Sequence, residues 1–213
     1  MSAIIQKLQE ISKLDVKLPI SNETIKLNKI NLEVQSKLEQ FAIGGDNEIL
    51  TSVHYLEFIN NHIRREVNRD VGYLDKLFIL QQWYNDLKTD NHITEAITPV
   101  EIEDLSLTIN GAKFIFKFEL PNIVKDLAFL KYIGSKKSDI KSIDIIFYFT
   151  CRYLSSITVD DDVLDISDIP LAESLFKLLD INKATNITDH IDQALESIKT
   201  VRNLEVDARV FFA

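Results

Sequence analysis

The sequence predicts an α+β fold that is mainly helical and contains two antiparallel β-hairpins, one near the N-terminus and one mid-chain. Three observations favour this class. Two short segments alternate apolar and polar residues on either side of a turn signal, which is typical of hairpins. Longer segments repeat apolar residues every three or four positions, as amphipathic helices do. Hydrophobic residues make up 46% and charged residues 27% of the 213 residues, as in an ordinary folded domain.

The first hairpin is predicted from a change of apolar period to two. The alternating apolar residues are Val16, Leu18, Ile20, Ile25 and Leu27. A four-residue loop over 21–24 joins the two strands. In this register Ile20 faces Ile25 and Leu18 faces Leu27, so these side chains share one face of the hairpin.

Helical periodicity predicts four helices in the first half of the chain, over residues 1–14, 31–41, 47–67 and 73–88. Asn31 and Asp46 stand just before two of them and can cap their first turns. The pair Gly44-Gly45 stops the helix that Asn31 begins. The last of the four is apolar on more than one face, which predicts a central position in the fold.

A polar segment over residues 88–99 is the best candidate for a module boundary. It divides the chain into 1–90, an N-terminal hairpin with helices, and 99–213, a second hairpin with a C-terminal helical part. One continuous domain stays open as the alternative.

The second hairpin has the clearest local signal in the chain. Asn110-Gly111 is typical of a type I′ turn, and apolar residues alternate on both sides of it. The implied register places Leu107 opposite Phe114 and Leu105 opposite Phe116. Four further helices are predicted after this hairpin, over 122–133, 138–157, 168–180 and 188–200, the last capped by Thr188-Asp189.

Charge and cysteine content restrict the classes of partner and compartment. The formal net charge is −9, which argues against direct binding of nucleic acid or of anionic membranes. No apolar run reaches the roughly 20 residues that span a bilayer. The one cysteine, Cys151, stands in an apolar run and is interpreted as a buried hydrophobic residue in a reducing compartment.

Motifs for catalysis, metal or cofactor binding are not found in the sequence. The four histidines lack the spacing of a ligand pair, and the aspartates around 160–168 lack the glycine and glutamate of a calcium loop. Only one pair of glycines is adjacent, so a phosphate loop is not expected. We therefore expect no catalytic, cofactor or metal residues; an enzyme with a scattered active site is the less favoured alternative.

Binding to other proteins through the surface is the remaining candidate function. Arg64, Arg65 and Arg69 form the one basic cluster, near a predicted helix end. The edge strands of the hairpins can extend a neighbour's sheet, and the apolar C-terminal residues can dock on a partner. The predicted interface residues are Leu18, Ile20, Ile25, Leu27, Arg64, Arg65, Phe211 and Phe212, and a homo-oligomer is one arrangement they allow.

The order of elements resembles the baseplate hub subunits and hub-assembly proteins of T-even-like contractile-tailed phages. The likeness covers nearly the whole chain and consists of Val16-Lys17-Leu18-Pro19-Ile20-Ser21, Leu74-Asp75-Lys76-Leu77-Phe78-Ile79-Leu80 and Leu105-Ser106-Leu107-Thr108-Ile109-Asn110-Gly111. Some relatives carry a cysteine pair in the loop before the second hairpin, which the loop Asp90 to Pro99 here lacks.

The resemblance implies a non-enzymatic protein that holds other phage tail and baseplate proteins together. It implies a location in the virion tail baseplate, or in the host cytoplasm during assembly. An assembly chaperone or a regulatory binding module that is absent from the mature particle is the alternative, and the sequence does not separate the two.

Overall fold

A computed structural model of the chain describes residues 12–44, 47–136, 139–160 and 162–212. The predicted fold class is confirmed: the protein is α+β and 55% helical, with a two-stranded hairpin near the N-terminus and a four-stranded antiparallel sheet mid-chain. Eight α-helices lie within the described residues. The helix expected over residues 1–14 falls mostly outside them, and from Lys13 onward the chain forms a strand instead.

The described residues form two compact units. The first contains the chain up to Pro99 together with the segment from Ile198 onward, and the second contains Val100–Ser197. The division 1–90 and 99–213 had grouped the C-terminal segment with the second hairpin, whereas in the structure this segment belongs to the first unit. Along the sequence, the second unit is therefore inserted between two parts of the first.

The first unit has a hairpin and four α-helices around an apolar core. Its third helix is the central one, as predicted, because Leu77, Ile79 and Leu80 are all fully buried. The elements are β1 (Lys13–Lys17), β2 (Thr24–Asn28), α1 (Leu32–Ile43), α2 (Glu48–Val67), α3 (Tyr73–Leu87), α8 (Lys199–Val206) and a 3-10 helix, Ala208–Phe212.

The register of the first hairpin differs from the predicted one. The expected pairs, Leu18 with Leu27 and Ile20 with Ile25, are wrong, because Ile25 pairs with Val16. The first strand ends before Leu18, since the proline that follows has no amide to continue the ladder. A backbone hydrogen bond of 2.8 Å from the Leu18 amide closes a longer loop instead.

Asparagine side chains cap the first two long helices. Asn31 Oδ1 accepts a hydrogen bond of 2.9 Å from the amide three positions on, as predicted. Helix α1 ends at Gly44, whose φ of 79° favours glycine. The predicted cap of α2, Asp46, is wrong: Asp46 lies outside the described residues, and Asn47 Oδ1 accepts the capping bond at 3.0 Å.

The second unit packs four helices with the four-stranded sheet. Within its helical layer the rings of Phe129 and Phe147, and of Phe147 and Phe176, lie 5.7 Å apart. Neighbouring strands are antiparallel in the order β3-β4-β5-β6. The elements are β3 (Leu105–Ile109), β4 (Ala112–Phe118), α4 (Ile123–Gly134), α5 (Ser142–Cys151), β5 (Leu154–Val159), β6 (Asp162–Asp165), α6 (Ile169–Phe176) and α7 (Ile181–Ala194).

The second hairpin forms as predicted. The pairs Leu107 with Phe114 and Leu105 with Phe116 are confirmed. Both residues of the asparagine–glycine turn have positive φ, 52° and 86°, which is the conformation a type I′ turn requires. Phe116 is fully buried, so the apolar face of this hairpin contributes to the core of its unit.

The predicted helix over 138–157 is wrong in its second half. Helix α5 ends at Cys151, and the chain continues as β5, which pairs with β4. The segment Leu154–Val159 reads Leu-Ser-Ser-Ile-Thr-Val, and its three β-branched residues favour a strand directly after the helical apolar run. Asp160, at a φ of 52°, follows β5, which pairs antiparallel with β6.

The last two predicted helices of this unit are also shifted. The helix expected over 168–180 is shorter, and Asp168 caps it with a bond of 3.1 Å. The helix expected at 188–200 begins earlier, because Asp180 caps α7. Thr188 is therefore not a cap but a residue inside α7, where its hydroxyl donates 3.1 Å to the Ala184 carbonyl.

Candidate functional site

The interface residues predicted on the first hairpin divide into core and surface. Leu18 and Leu27 are fully buried within the first unit, and Ile25 is half-buried. Ile20 is exposed, but its amide donates 3.0 Å to the carboxylate of Asp75 at the start of α3. The loop of this hairpin is thus fixed to the helix, and Ile20 is the one residue of this set with a substantially exposed side chain.

The predicted basic residues lie in and just after the last turn of α2, with Arg64 and Arg65 exposed and Arg69 half-buried. Arg65 Nη2 lies 3.3 Å from His62 Nδ1, and a guanidinium can only donate, so Nδ1 accepts. Arg69 forms an ion pair with Glu23. Arg64 is exposed in the last turn of the helix, where a cation favours the helix dipole.

A groove of about 710 Å³ runs beside α1 and α2. Phe58 and His62 line its floor, with ring centroids 5.7 Å apart in a stacked arrangement. Its charged lining is mixed, two cations and two carboxylates: Glu33, Lys37, Arg65 and Glu66.

His62 is neutral in this groove at pH 7. Burial lowers its pKa below the usual 6.5, and the nearby Arg65 acts in the same direction against the carboxylate of Glu66. The ring also lies 5.1 Å from the ring of Trp83. His62 thereby joins an aromatic contact series between α2 and α3 and packs as an uncharged ring.

The two phenylalanines at the C-terminal end have different environments. Phe211 is buried in the first unit, and its ring meets Tyr84 edge-on at 6.2 Å. Phe212 is 38% exposed. Of this predicted pair, Phe211 is therefore a core residue and Phe212 has surface available for a partner.

The first unit contains a buried polar cluster between α3 and α8. Lys76 Nζ forms an ion pair with Glu205, and both side chains are 1% exposed. Lys76 also donates 3.3 Å to Asn60 Oδ1, and the Tyr55 hydroxyl donates to the Leu204 carbonyl. The residues of these contacts all belong to the first unit, and the contacts fasten the C-terminal helix to its core.

The second unit has a buried ion pair of its own. Arg152 Nη2 donates 2.9 Å to Asp126 Oδ2, and neither side chain has more than 1% of its surface exposed. The guanidinium carbon lies 4.9 Å and 5.1 Å from the ring centroids of Tyr148 and Tyr153. This pair joins α4 to the point where α5 gives way to β5.

A third charged cluster centres on Lys136, after α4. Lys136 pairs with both Asp144 and Glu173, and the Tyr132 hydroxyl donates 2.6 Å to Glu173. Burial works against the Glu173 carboxylate, but the hydrogen bonds from Lys136, Tyr132 and Lys177 outweigh it and lower its pKa to about 2. A carboxylate held in this way is a structural anchor, because its lone pairs are already engaged.

Among the residues that the structure describes, side chains suited to covalent or metal chemistry do not lie together. In the described ranges, His, Cys, Asp and Glu side chains form no group of three that could hold a metal ion. Cys151 is buried, and burial raises the pKa of its thiol far above the physiological range. The thiol is therefore protonated and packs as a small apolar side chain.

A patch of exposed aliphatic side chains lies where α6 connects to α7. Leu178 is 84% exposed and Ile181 is 71% exposed; together with Leu171, on α6, they form what we call the corner patch. Backbone bonds from Leu178 to Leu175 continue the helical path of α6 past its end. These residues are not among the predicted interface residues, although apolar residues on both sides of the capping Asp180 can be recognised in the sequence.

Comparison with protein-family models, with curated proteins and with solved structures gives no match to this chain. Across the part of the chain that the structure describes, no helix combines the length and apolar character needed to cross a membrane. The function is therefore inferred from the residues and their geometry.

Proposed function

We propose that the protein is a non-enzymatic structural or assembly protein of a phage tail baseplate hub and acts through protein–protein contacts. The order of its sequence elements supports the hub assignment by resemblance. The corner patch is the observation that most directly supports a contact function, because Leu178 and Ile181 expose most of their aliphatic surface to water. Exposed apolar surface of this kind is typical of sites that bind other proteins.

The environments of the ionisable side chains also support a protein-binding function rather than a catalytic one. A general base or nucleophile needs a side chain that is accessible and poised to exchange a proton. The Cys151 thiol is buried, the Glu173 carboxylate is engaged by three donors, and His62 is packed between aromatic rings. Each of these groups stabilises its own unit.

Co-purification of the tagged chain with phage tail and baseplate proteins tests the proposal. We expect at least one baseplate protein, identified by mass spectrometry, to be retained. The double variant Leu178→Asp/Ile181→Asp should abolish this retention, because two charges would have to be buried at the contact. The loss should occur without a change in thermal stability, since both residues are exposed.

The matched control is Val163→Asp, which places the same charge on an exposed aliphatic residue of β6. This variant should retain the partner. Retention of no tail protein by the wild-type chain would overturn the proposed function, and equal retention by the corner-patch variant would remove the patch from it.

Mass spectrometry of purified tail particles separates the two forms of the proposal. A fixed stoichiometry in the particle identifies a structural component. Presence in assembly intermediates alone identifies a chaperone or regulatory module.

A further inference from the structure

The sheet of the second unit has an open edge at β3. This strand stands first in the order β3-β4-β5-β6, so within the described residues no strand lies on its outer side. Residues that flank a two-residue turn form a hydrogen-bonded pair, and bonded and non-bonded pairs alternate along the ladder. Leu105, Leu107 and Ile109 therefore bond to β4, while the backbone groups of Ser106 and Thr108 point outward.

The two edge strands of this sheet differ in the features that protect an edge from pairing with another strand. Strand β6 is four residues long and has an aspartate at each end, Asp162 and Asp165. The Asp165 carbonyl also accepts a backbone bond from Asp168 at 3.4 Å. Strand β3, Leu-Ser-Leu-Thr-Ile, has no charge and no proline, the two devices that commonly keep an edge from pairing.

We infer that the β3 edge is a homodimer interface, in which β3 of two copies pairs antiparallel about Leu107 and joins the two sheets into one. Ser106 of each copy then lies opposite Thr108 of the other. The outward amide and carbonyl groups of both residues are satisfied in the same ladder. Leu105 meets Ile109 and Leu107 meets its own counterpart, so like side chains share one face. No other antiparallel register that satisfies the outward groups pairs all five strand residues.

Charge complementarity favours a second copy of this chain as the partner of β3, and an antiparallel orientation of the two strands. The exposed residues before β3 include three acids, Glu101, Glu103 and Asp104. The hairpin from 105 to 118 has no acid and two lysines, Lys113 and Lys117. In the antiparallel pair the acidic segment of each copy lies beside the turn end of the other hairpin, which is the end where Lys113 stands opposite Thr108. A parallel pair would bring the two acidic segments together.

The interface is small, because it consists of one five-residue strand from each copy. Contacts of this size give weak association unless other surface is added. We therefore expect a dimer that forms between micromolar and millimolar concentration. This inference does not depend on the phage assignment.

Sedimentation equilibrium of the full chain tests the inference. The average mass should rise with concentration from the 24.5 kDa of one chain towards twice that value. Thr108→Pro removes an outward amide without removing a bond to β4, and should leave a monomer at every concentration. Thr108→Lys keeps the amide but places a charge at the edge, and should weaken the dimer at least tenfold.

Val163→Pro is the matched control, because it removes an outward amide from the opposite edge. It should dimerise like the wild type. A wild-type chain that stays monomeric, a dimer that persists in both Thr108 variants, or a dimer lost equally in the control would each overturn the inference.

Hydrogen exchange supplies a readout of the register. In the dimer, the amides of Ser106 and Thr108 should exchange slowly, and dilution should accelerate them selectively. The amides of Leu105 and Leu107, which bond to β4 in either state, should not respond. Fast exchange of Ser106 and Thr108 under conditions where the chain is dimeric would also overturn the inference.

Discussion

Each of the two units contains a buried ion pair, and the two pairs connect different kinds of neighbour. In the first unit, Lys76 and Glu205 are far apart in the sequence, and their contact holds α8 on α3. In the second, Arg152 and Asp126 are 26 positions apart, and two tyrosine rings flank the guanidinium. The first pair joins the two chain segments that make up the first unit. The second pair stabilises the position at which α5 ends and β5 begins.

The energetic role of both pairs follows from the cost of burying charge. Removing two charges from water costs several kcal/mol per ion, and a good ion pair compensates for it only with further hydrogen bonds. Loss of one partner is therefore more damaging than loss of both. Because Trp83 is the one tryptophan and lies in the first unit, its fluorescence reports on that unit, while circular dichroism reports on both.

The largest effect is expected from Arg152→Met. It leaves the Asp126 carboxylate buried without its cation and removes the cation–π contacts with Tyr148 and Tyr153. We expect a loss of about 3–5 kcal/mol in the free energy of unfolding. Denaturant titration should show an earlier transition by circular dichroism and a much smaller shift in Trp83 fluorescence.

Lys131→Met is the control for that variant, since it removes an exposed cation from α4. Its unfolding free energy should stay within about 0.5 kcal/mol of the wild type. An equal shift of both signals in Arg152→Met would mean that the two units unfold together. The stabilities of the two units could then not be measured separately.

The next effect is expected from Lys76→Met, at about 3 kcal/mol. Here the Trp83 signal should shift together with circular dichroism, because the C-terminal helix loses its buried attachment. The double variant Lys76→Met/Glu205→Leu replaces both charges by apolar groups and should recover most of the loss. A double variant that stays as unstable as the single one would show that the ion pair contributes net stability.

A smaller effect is expected from acid, through Glu173 in the second unit. Its pKa falls from 4.5 to about 2 on folding, so the folded state favours the ionised form. The stability gained is fully present above pH 4.5 and is lost as the pH falls towards 2. We expect this contribution to be about 2 kcal/mol, measured as unfolding free energy against pH; it is smaller than the full shift implies because solvent screens the partly exposed lysines.

Glu173→Gln should remove that part of the pH dependence, whereas Glu101→Gln, at an exposed position, should leave it in place. A slope that is the same in wild type and Glu173→Gln would assign the acid sensitivity to another carboxylate.

The smallest effect is expected from Tyr55→Phe in the first unit. The variant keeps the ring and removes the hydroxyl that donates to the Leu204 carbonyl. Loss of one buried neutral hydrogen bond should cost about 1 kcal/mol, seen in Trp83 fluorescence. A cost as large as that of Lys76→Met would show that the neutral bond, and not the ion pair, is the main attachment of α8.

The features predicted correctly from the sequence are those that depend on adjacent residues. Asn110-Gly111 determines the turn of the second hairpin by backbone conformation alone, and the register follows from it. Asn31 caps α1 through an amide three positions away. No distant residue is needed to explain either feature.

The features predicted wrongly depend on distant contacts. Helix α5 ends near Arg152, whose partner Asp126 lies on another helix, so the apolar run continues through the break without a local stop signal. Burial of Leu18, Leu27 and Phe211 is likewise decided by packing within the first unit. Apolar character alone could not distinguish these core residues from the exposed Leu178 and Ile181.

The position of the second unit within the chain has a consequence for synthesis. The first unit needs Glu205 and its helix, which the ribosome produces only after Val100–Ser197. At about 5–20 residues per second, the N-terminal portion waits several seconds for its last helix. During that wait its Lys76 ammonium has no carboxylate from α8. The second unit can therefore fold on the nascent chain before the first unit is complete.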